Sequence, residues 1–194
     1  MAIVDALLHR VRWRIFGLLF AFGCVAYLQQ KSLTVAAARM MPELGLSQMQ
    51  IGWMESAFLI GYAAFQLPGG VIGQVLGGRR TFVLISLVAF LATVLVPLAP
   101  LALGSSALFA TFVALELLLG AAQGPVFPVS SGIMETWFPA GQWASIQGLQ
   151  VMGFQLAAAL TPPLIASLMV LELLVIVEFP ILSTAFWAAC TSGL

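Results

Sequence analysis

Read for apolar and polar positions, the chain alternates long oily runs with short polar breaks. The apolar runs cover residues 13–39, 51–76, 81–103, 107–138, 144–169 and, more weakly, 170–189. A helix needs roughly 20 apolar residues to cross a hydrocarbon core, and these runs are of that order. The breaks MPELGLSQMQ, GGRR, GSS and PAGQW are short and turn-like. The last boundary, near Met169, has no such marker. No linker or low-complexity stretch divides the chain, so the pattern predicts one all-α membrane bundle of six transmembrane helices.

Composition agrees with the pattern. The 194 residues are 62% hydrophobic and 7% charged, with a mean hydropathy of +1.10. A soluble domain is about a quarter charged, because its surface must face water. Seven basic and seven acidic side chains cannot cover such a surface, so the partner of this chain is a lipid bilayer. The first run is too long for a signal peptide and further spans follow it. Cys24 and Cys190 lie inside apolar runs and form no disulfide or ligand pattern. A net charge of zero argues against nucleic acid.

Charge also orients the bundle. Arg10, Arg12 and Arg14 precede the first span, and Arg79 and Arg80 lie two spans later, on the same side. The opposite side holds Arg39. The positive-inside rule places the N-terminus and the GGRR turn in the cytoplasm, in a plasma or inner membrane. Trp13, Trp53, Trp137 and Trp143 fall near span ends, as an interfacial belt requires. Tyr27 and Tyr62 fall mid-span, where a phenol needs a partner.

The stretch QLPGGVIGQVLGGRR, residues 66–80, puts a proline and two glycines inside an oily run and ends it on two glycines and two arginines. Glycines so spaced let a neighbouring helix approach closely, and a proline relaxes the backbone bonding. Ordinary helix packing and a hinge are both open on these residues alone. The whole stretch resembles the loop between the second and third helices of the major facilitator superfamily. That pattern is a glycine, three residues, an acid, a base, an apolar residue, then Gly-Gly-Arg-Arg. Here it reads Gly70, residues 71–73, Gln74, Val75, Leu76, Gly77, Gly78, Arg79 and Arg80.

Within that superfamily the chain is most similar to the anion:cation symporters, which move organic anions and phosphate. YLQQKSLTVAAARM resembles the first-helix motif of that branch, and LSQMQIGWMESAFLIGYAAFQLPGG the entry to its second helix. LLLGAAQGPVFPVSSGIMETWFP resembles its fourth helix, and GLQVMGFQLAAALTPPLIASL its fifth. The resemblance runs from about residue 14 to 169. It implies the N-terminal half of a twelve-helix symporter, working by alternating access on a small, anionic substrate. It also implies that Pro68, Gly70, Gln74, Gly77, Gly78, Arg79 and Arg80 form a gate at the cytoplasmic end.

The departures fall on charge. The branch has an Asp-Arg pair after Tyr-Leu, where this chain has Gln29 and Gln30. Its fourth helix has an arginine and, seven residues later, a glutamate; here these are Glu116 and Gln123. The motif acid is Gln74, and a Glu-Arg before the fifth helix reads Gln142-Trp143. Amides keep size and hydrogen bonding but lose charge, so proton coupling does not carry over from the resemblance.

Two charges remain deep in the spans. Lys31 and Glu116 both lie about 13–15 Å below the outer surface at the helical rise per residue. An unpaired charge there costs about 2.5–3.5 kcal/mol on insertion scales. Matched depth suggests an ion pair: either Lys31 binds an anionic substrate with Glu116 as counter-ion or proton acceptor, or the pair merely ties two helices. Tyr27, Gln30, Tyr62 and Gln123 are candidates for a polar lining around it. For Gln147, Gln150 and Gln155, packing amides are the ordinary reading, and Glu55 sits near the outer end of the second span.

Residues 1–169 therefore read as helices one to five of a transporter half, and 170–194 as a divergent or truncated sixth. The expectation is a reading frame cut or shifted near Val170, with a second six-helix half or a homodimer needed for transport. The alternative is a truncated, non-transporting half-bundle, a relic or scaffold. No enzyme is predicted: His9 lies outside the membrane, there is no HExxH and no Walker lysine, and no cofactor or metal motif is present.

Overall fold

The computed structural model describes residues 2–102 and 105–170. Helix α1 (Ala2–Leu44) runs past Pro42 and stops at Gly45, whose φ of 65° is a left-handed conformation open to glycine. Helix α2 (Gln48–Leu76) starts on a capping box. Ser47 Oγ accepts from the Gln50 N–H, and Gln50 Oε1 accepts from the Ser47 N–H at 2.8 Å.

Helix α2 does not break at Pro68, Gly69 or Gly70. It passes unbroken through Pro68, which is exposed, and stops only at Gly77, where φ is 82°. A proline inside a membrane span is tolerated because the freed backbone group finds local compensation. Helix α3 (Gly78–Ala102) follows at once. Helices α4 (Ser105–Gln123) and α5 (Val126–Trp137) make one span, interrupted at Gly124 and Pro125. A 3-10 turn at Ala140–Gln142 leads into α6 (Trp143–Val170), which contains Pro162 and Pro163.

Five segments are long and apolar enough to cross a bilayer: His9–Val35, Gln48–Leu76, Gly78–Val96, Ala107–Trp137 and Ala140–Ile165. These match the first five predicted spans. The sixth, 170–189, lies beyond its first residue outside the described part of the chain. Among the described residues every element is helical.

Backbone-to-backbone contact sets the relation of α2 to α4. A Cβ on Gly120 would strike Phe58 O, one on Gly61 would strike Leu117 O, and one on Gly124 would lie 2.6 Å from Tyr62 O. The offset in sequence number stays near constant along this seam, so the two helices run parallel and in register. The glycines that follow Pro68 continue it: Gly69 faces Pro125 at the break, and Gly70 and Gly73 face Pro128 and Val129 of α5. Helix α1 packs on α6 in the same way, with Gly23 against the Phe154 ring and Gly153 against the Phe20 ring. Small residues let membrane helices approach closely enough for dispersion to hold them.

Three apolar clusters stack along the bundle. At the end that carries Arg10, Arg12, Arg14, Arg79 and Arg80, Phe16, Phe22, Phe82 and Phe138 form the core. Phe58, Ala89, Ala92, Leu119 and Ala122 fill the middle, and Met54, Ala99, Leu108 and Phe112 the far end. Leu67 and Val75 are 83% and 79% exposed, as side chains that face lipid must be. All four tryptophans named above are also exposed: Trp137 and Trp143 stand at helix ends, Trp53 near the start of α2, and Trp13 within α1.

Candidate functional site

Two polar layers lie between the apolar clusters. The first is built of uncharged groups. Gln123 Nε2 on α4 donates to Gln29 Oε1 on α1 at 3.2 Å, and Gln29 Nε2 donates to Thr93 Oγ1 on α3 at 3.4 Å. Thr93 in turn donates to the carbonyl of Ala89 at 2.8 Å. Gln29 and Gln123 are buried, at 3% and 4% exposure. Tyr27 and Tyr62 join this level from α1 and α2. They are half-buried and within electrostatic reach of each other, with rings against Phe154 and Phe58.

The second layer is acidic. Seven residues along each helix, about 10 Å at the helical rise, α2 presents Glu55 and α4 presents Glu116. Glu116 is 8% exposed and interacts electrostatically with Glu55, which is half-buried. From α1, the Thr34 hydroxyl donates to Glu55 Oε1 at 2.8 Å.

Lys31, between these levels on α1, is exposed, and no ion pair joins it to Glu116 among the described residues. Sequence depth places both groups near one level, but depth is only one coordinate. The seam with α2 fixes the rotation of α4: Gly120, one turn beyond Glu116, sits on Phe58, one turn beyond Met54 and Glu55. Glu116 is thereby buried on the side of α4 that packs on α2, while Lys31 lies on the open flank of α1.

The other candidate residues divide. Gln30 is half-buried, and the glutamine that bonds to Gln123 is Gln29. Pro68, Gln74, Gly77, Arg79 and Arg80 are exposed at the basic end, while Gly70 and Gly78 are partly covered by α5. Nearby, the Arg12 guanidinium lies 5.4 Å over the Phe138 ring, and Trp143 Nε1 donates to the Phe138 carbonyl at 2.8 Å. Gln150 and Gln147 tie α6 to α5 through Ser130 at 2.8 Å and Ser131 at 3.0 Å. That is the packing expected of them. Gln155 is exposed.

Thr93, Thr34 and the coupling of Glu55 to Glu116 are not visible in the sequence. A threonine in an apolar run bonds equally well to its own helix, and the spacing of residues does not say which helix faces which. Among the described residues no group of His, Cys, Asp and Glu is placed to hold a metal.

Five membrane-length helices, packed on glycine seams around two buried polar layers, define a polytopic membrane protein with a polar interior. Residues 19–193 match the Major Facilitator Superfamily, and the chain belongs to it. The match runs past Met169 into the sixth segment. A probable sulfoacetate transporter of Cupriavidus necator is 30% identical over 156 residues, covering 80% of this chain and 35% of its own length. A probable anion transporter of Arabidopsis thaliana is 33% identical over 77% of this chain and 33% of its own. A hexuronate transporter of Bacillus subtilis is 31% identical over 78% and 34%. The chain thus spans about a third of the length of the curated relatives it matches.

Proposed function

We propose that this chain is the N-terminal six-helix half of a transporter that carries a small organic anion by alternating access. The observation that carries this reading is the family match over residues 19–193, joined by relatives whose names specify anions. In this reading the substrate sits against the open flank of α1. Lys31 supplies the positive charge for a carboxylate or sulfonate, and Tyr27, Gln30, Tyr62, Gln123 and Glu116 line the polar levels on either side. Pro68, Gly70, Gln74 and the turn Gly77, Gly78, Arg79 and Arg80 form the gate at the cytoplasmic end. The substrate lies between two six-helix halves in such proteins, so a second half or a second copy completes the site.

The test is uptake into proteoliposomes with labelled glucuronate, galactonate and sulfoacetate as probes. The chain is reconstituted alone and together with any second half encoded downstream of Leu194. We expect uptake of at least one probe in a complete assembly, and a loss of tenfold or more in Lys31→Gln at unchanged protein level. Uptake indifferent to Lys31→Gln would remove Lys31 from the site. The exchange of charged residues for the mutually bonded Gln29 and Gln123 favours a second reading, a bundle that folds but moves nothing. Complete assemblies inert to all three probes would support it.

A further inference from the structure

Away from both polar layers, the basic end of the bundle seats one arginine differently from its neighbours. Arg12 of α1 lays its guanidinium over the ring of Phe138, 5.4 Å from the centroid. The ring is itself held in place. Trp13 and Phe16 of α1 meet it edge-on at 5.9 and 6.4 Å, and the Phe138 carbonyl accepts from Trp143 Nε1 of α6 at 2.8 Å. Arg10 and Arg14 are exposed on the same helix, and among the described residues no ring lies under either.

Half-buried in this seat, Arg12 pairs with no described carboxylate. Its Nε is covered and finds no acceptor. The two terminal nitrogens are neither covered nor bonded within the described residues, so four N–H donors remain open. Glu135 lines a shallow cleft between α5 and α6 with Phe138 and Trp143, and forms no ion pair with Arg12. The other acid at this end is Asp5, against five arginines: Arg10, Arg12, Arg14, Arg79 and Arg80.

Depth points to the anion that meets such a group. The first span begins at His9 and the fifth at Ala140. Arg12 and Trp143 therefore each lie about 4–5 Å along their helices from the span ends. Exposed tryptophans such as Trp13 and Trp143 sit at the headgroup level, and the anion that a bilayer supplies there is the lipid phosphate. A guanidinium offers a phosphate two parallel N–H bonds, and stacking on Phe138 holds its plane ready to make them. The surplus of arginines then selects among lipids. A zwitterionic headgroup brings an ammonium that this end repels, whereas an anionic one brings negative charge alone.

We infer that Arg12, stacked on Phe138, is a binding site for the phosphate of an anionic phospholipid, with the exposed rings of Trp13 and Trp143 beside the headgroup. Phe138 is a positioning residue: it touches the guanidinium and fixes where the fork points. The site lies outside the polar layers and stands whether or not the chain transports.

Native mass spectrometry of the purified chain, released from detergent after incubation with phosphatidylglycerol or phosphatidylcholine, tests it. We expect phosphatidylglycerol to be retained over phosphatidylcholine, and its retention to fall about tenfold in Arg12→Gln, the order of one lost charge-assisted bond. Arg14→Gln removes the same charge from a position without a ring and should retain the lipid as the wild type does. Equal losses in the two variants would mean that only net charge is read, and would overturn the site. So would retention indifferent to Arg12→Gln, or equal retention of the two lipids. Excess inorganic phosphate should leave the lipid bound; displacement would assign the site to a free ion and overturn the lipid. If Arg12→Gln does not fold, Arg12→Lys decides, because it keeps the charge and loses the planar fork: reduced retention supports the inference and full retention overturns it. No substrate takes part, so failure here leaves the transport reading standing.

Discussion

The amide pair Gln29 and Gln123 shows how single side chains are used inside this bundle. Each amide is buried, and each would leave polar atoms without a bond if its partner were lost, which raises the cost of replacing either. Hydrogen bonds between membrane helices are nonetheless modest, about 0.6 kcal/mol on average and at most about 1.7. A double-mutant cycle of Gln29→Leu and Gln123→Leu, read by denaturant unfolding in mixed micelles, should give a coupling energy in that range; zero coupling would mean that the two do not bond. Both positions stood out in the sequence as places where charge had been exchanged for an amide. Their contact did not, since no spacing rule connects residues on different helices. Lys31 and Glu116 make the same point in reverse. Their depth was legible from the rise per residue, while their facing was set by a seam that only packing reveals.

Among the elements, the spans were legible because some twenty apolar residues in a row admit few other structures. Helix ends are legible where glycine takes a positive φ, at Gly45 and Gly77, whereas Pro68 marks no end, because a proline in a membrane helix does not have to break it. The seam between α2 and α4 was visible only as glycines, with no indication of which of them touch backbone. It yields a sharp expectation. Gly120→Val should lower stability by about 1–3 kcal/mol or more, the usual cost of overpacking, because its side chain would meet the Phe58 carbonyl. Gly17→Ala, where nothing lies within 4 Å, should be neutral or slightly stabilising. Thermal unfolding followed by size-exclusion chromatography separates the two, and equal melting would refute close contact at Gly120.

For the whole molecule, the question is which exposed flank is wet. Most exposed side chains on the spans are large and apolar, as lipid requires, yet Lys31 and Gln155 are exposed within spans and polar. Both sit on the α1–α6 side: Gln155 follows Phe154, whose ring lies against Tyr27 at 5.1 Å. Polar side chains at membrane depth face a bundle interior or a water-filled cavity, so this flank is the one a second half would cover around water. Leu156, the next residue, is 59% exposed and supplies the control. In a background with Cys24 and Cys190 replaced, Gln155→Cys should react with a charged, membrane-impermeant thiol reagent about tenfold faster than Leu156→Cys, since the thiolate that reacts forms in water and not in lipid. Equal and slow labelling of both would place the α1–α6 flank in lipid, and with it Lys31, which would then not meet the anion.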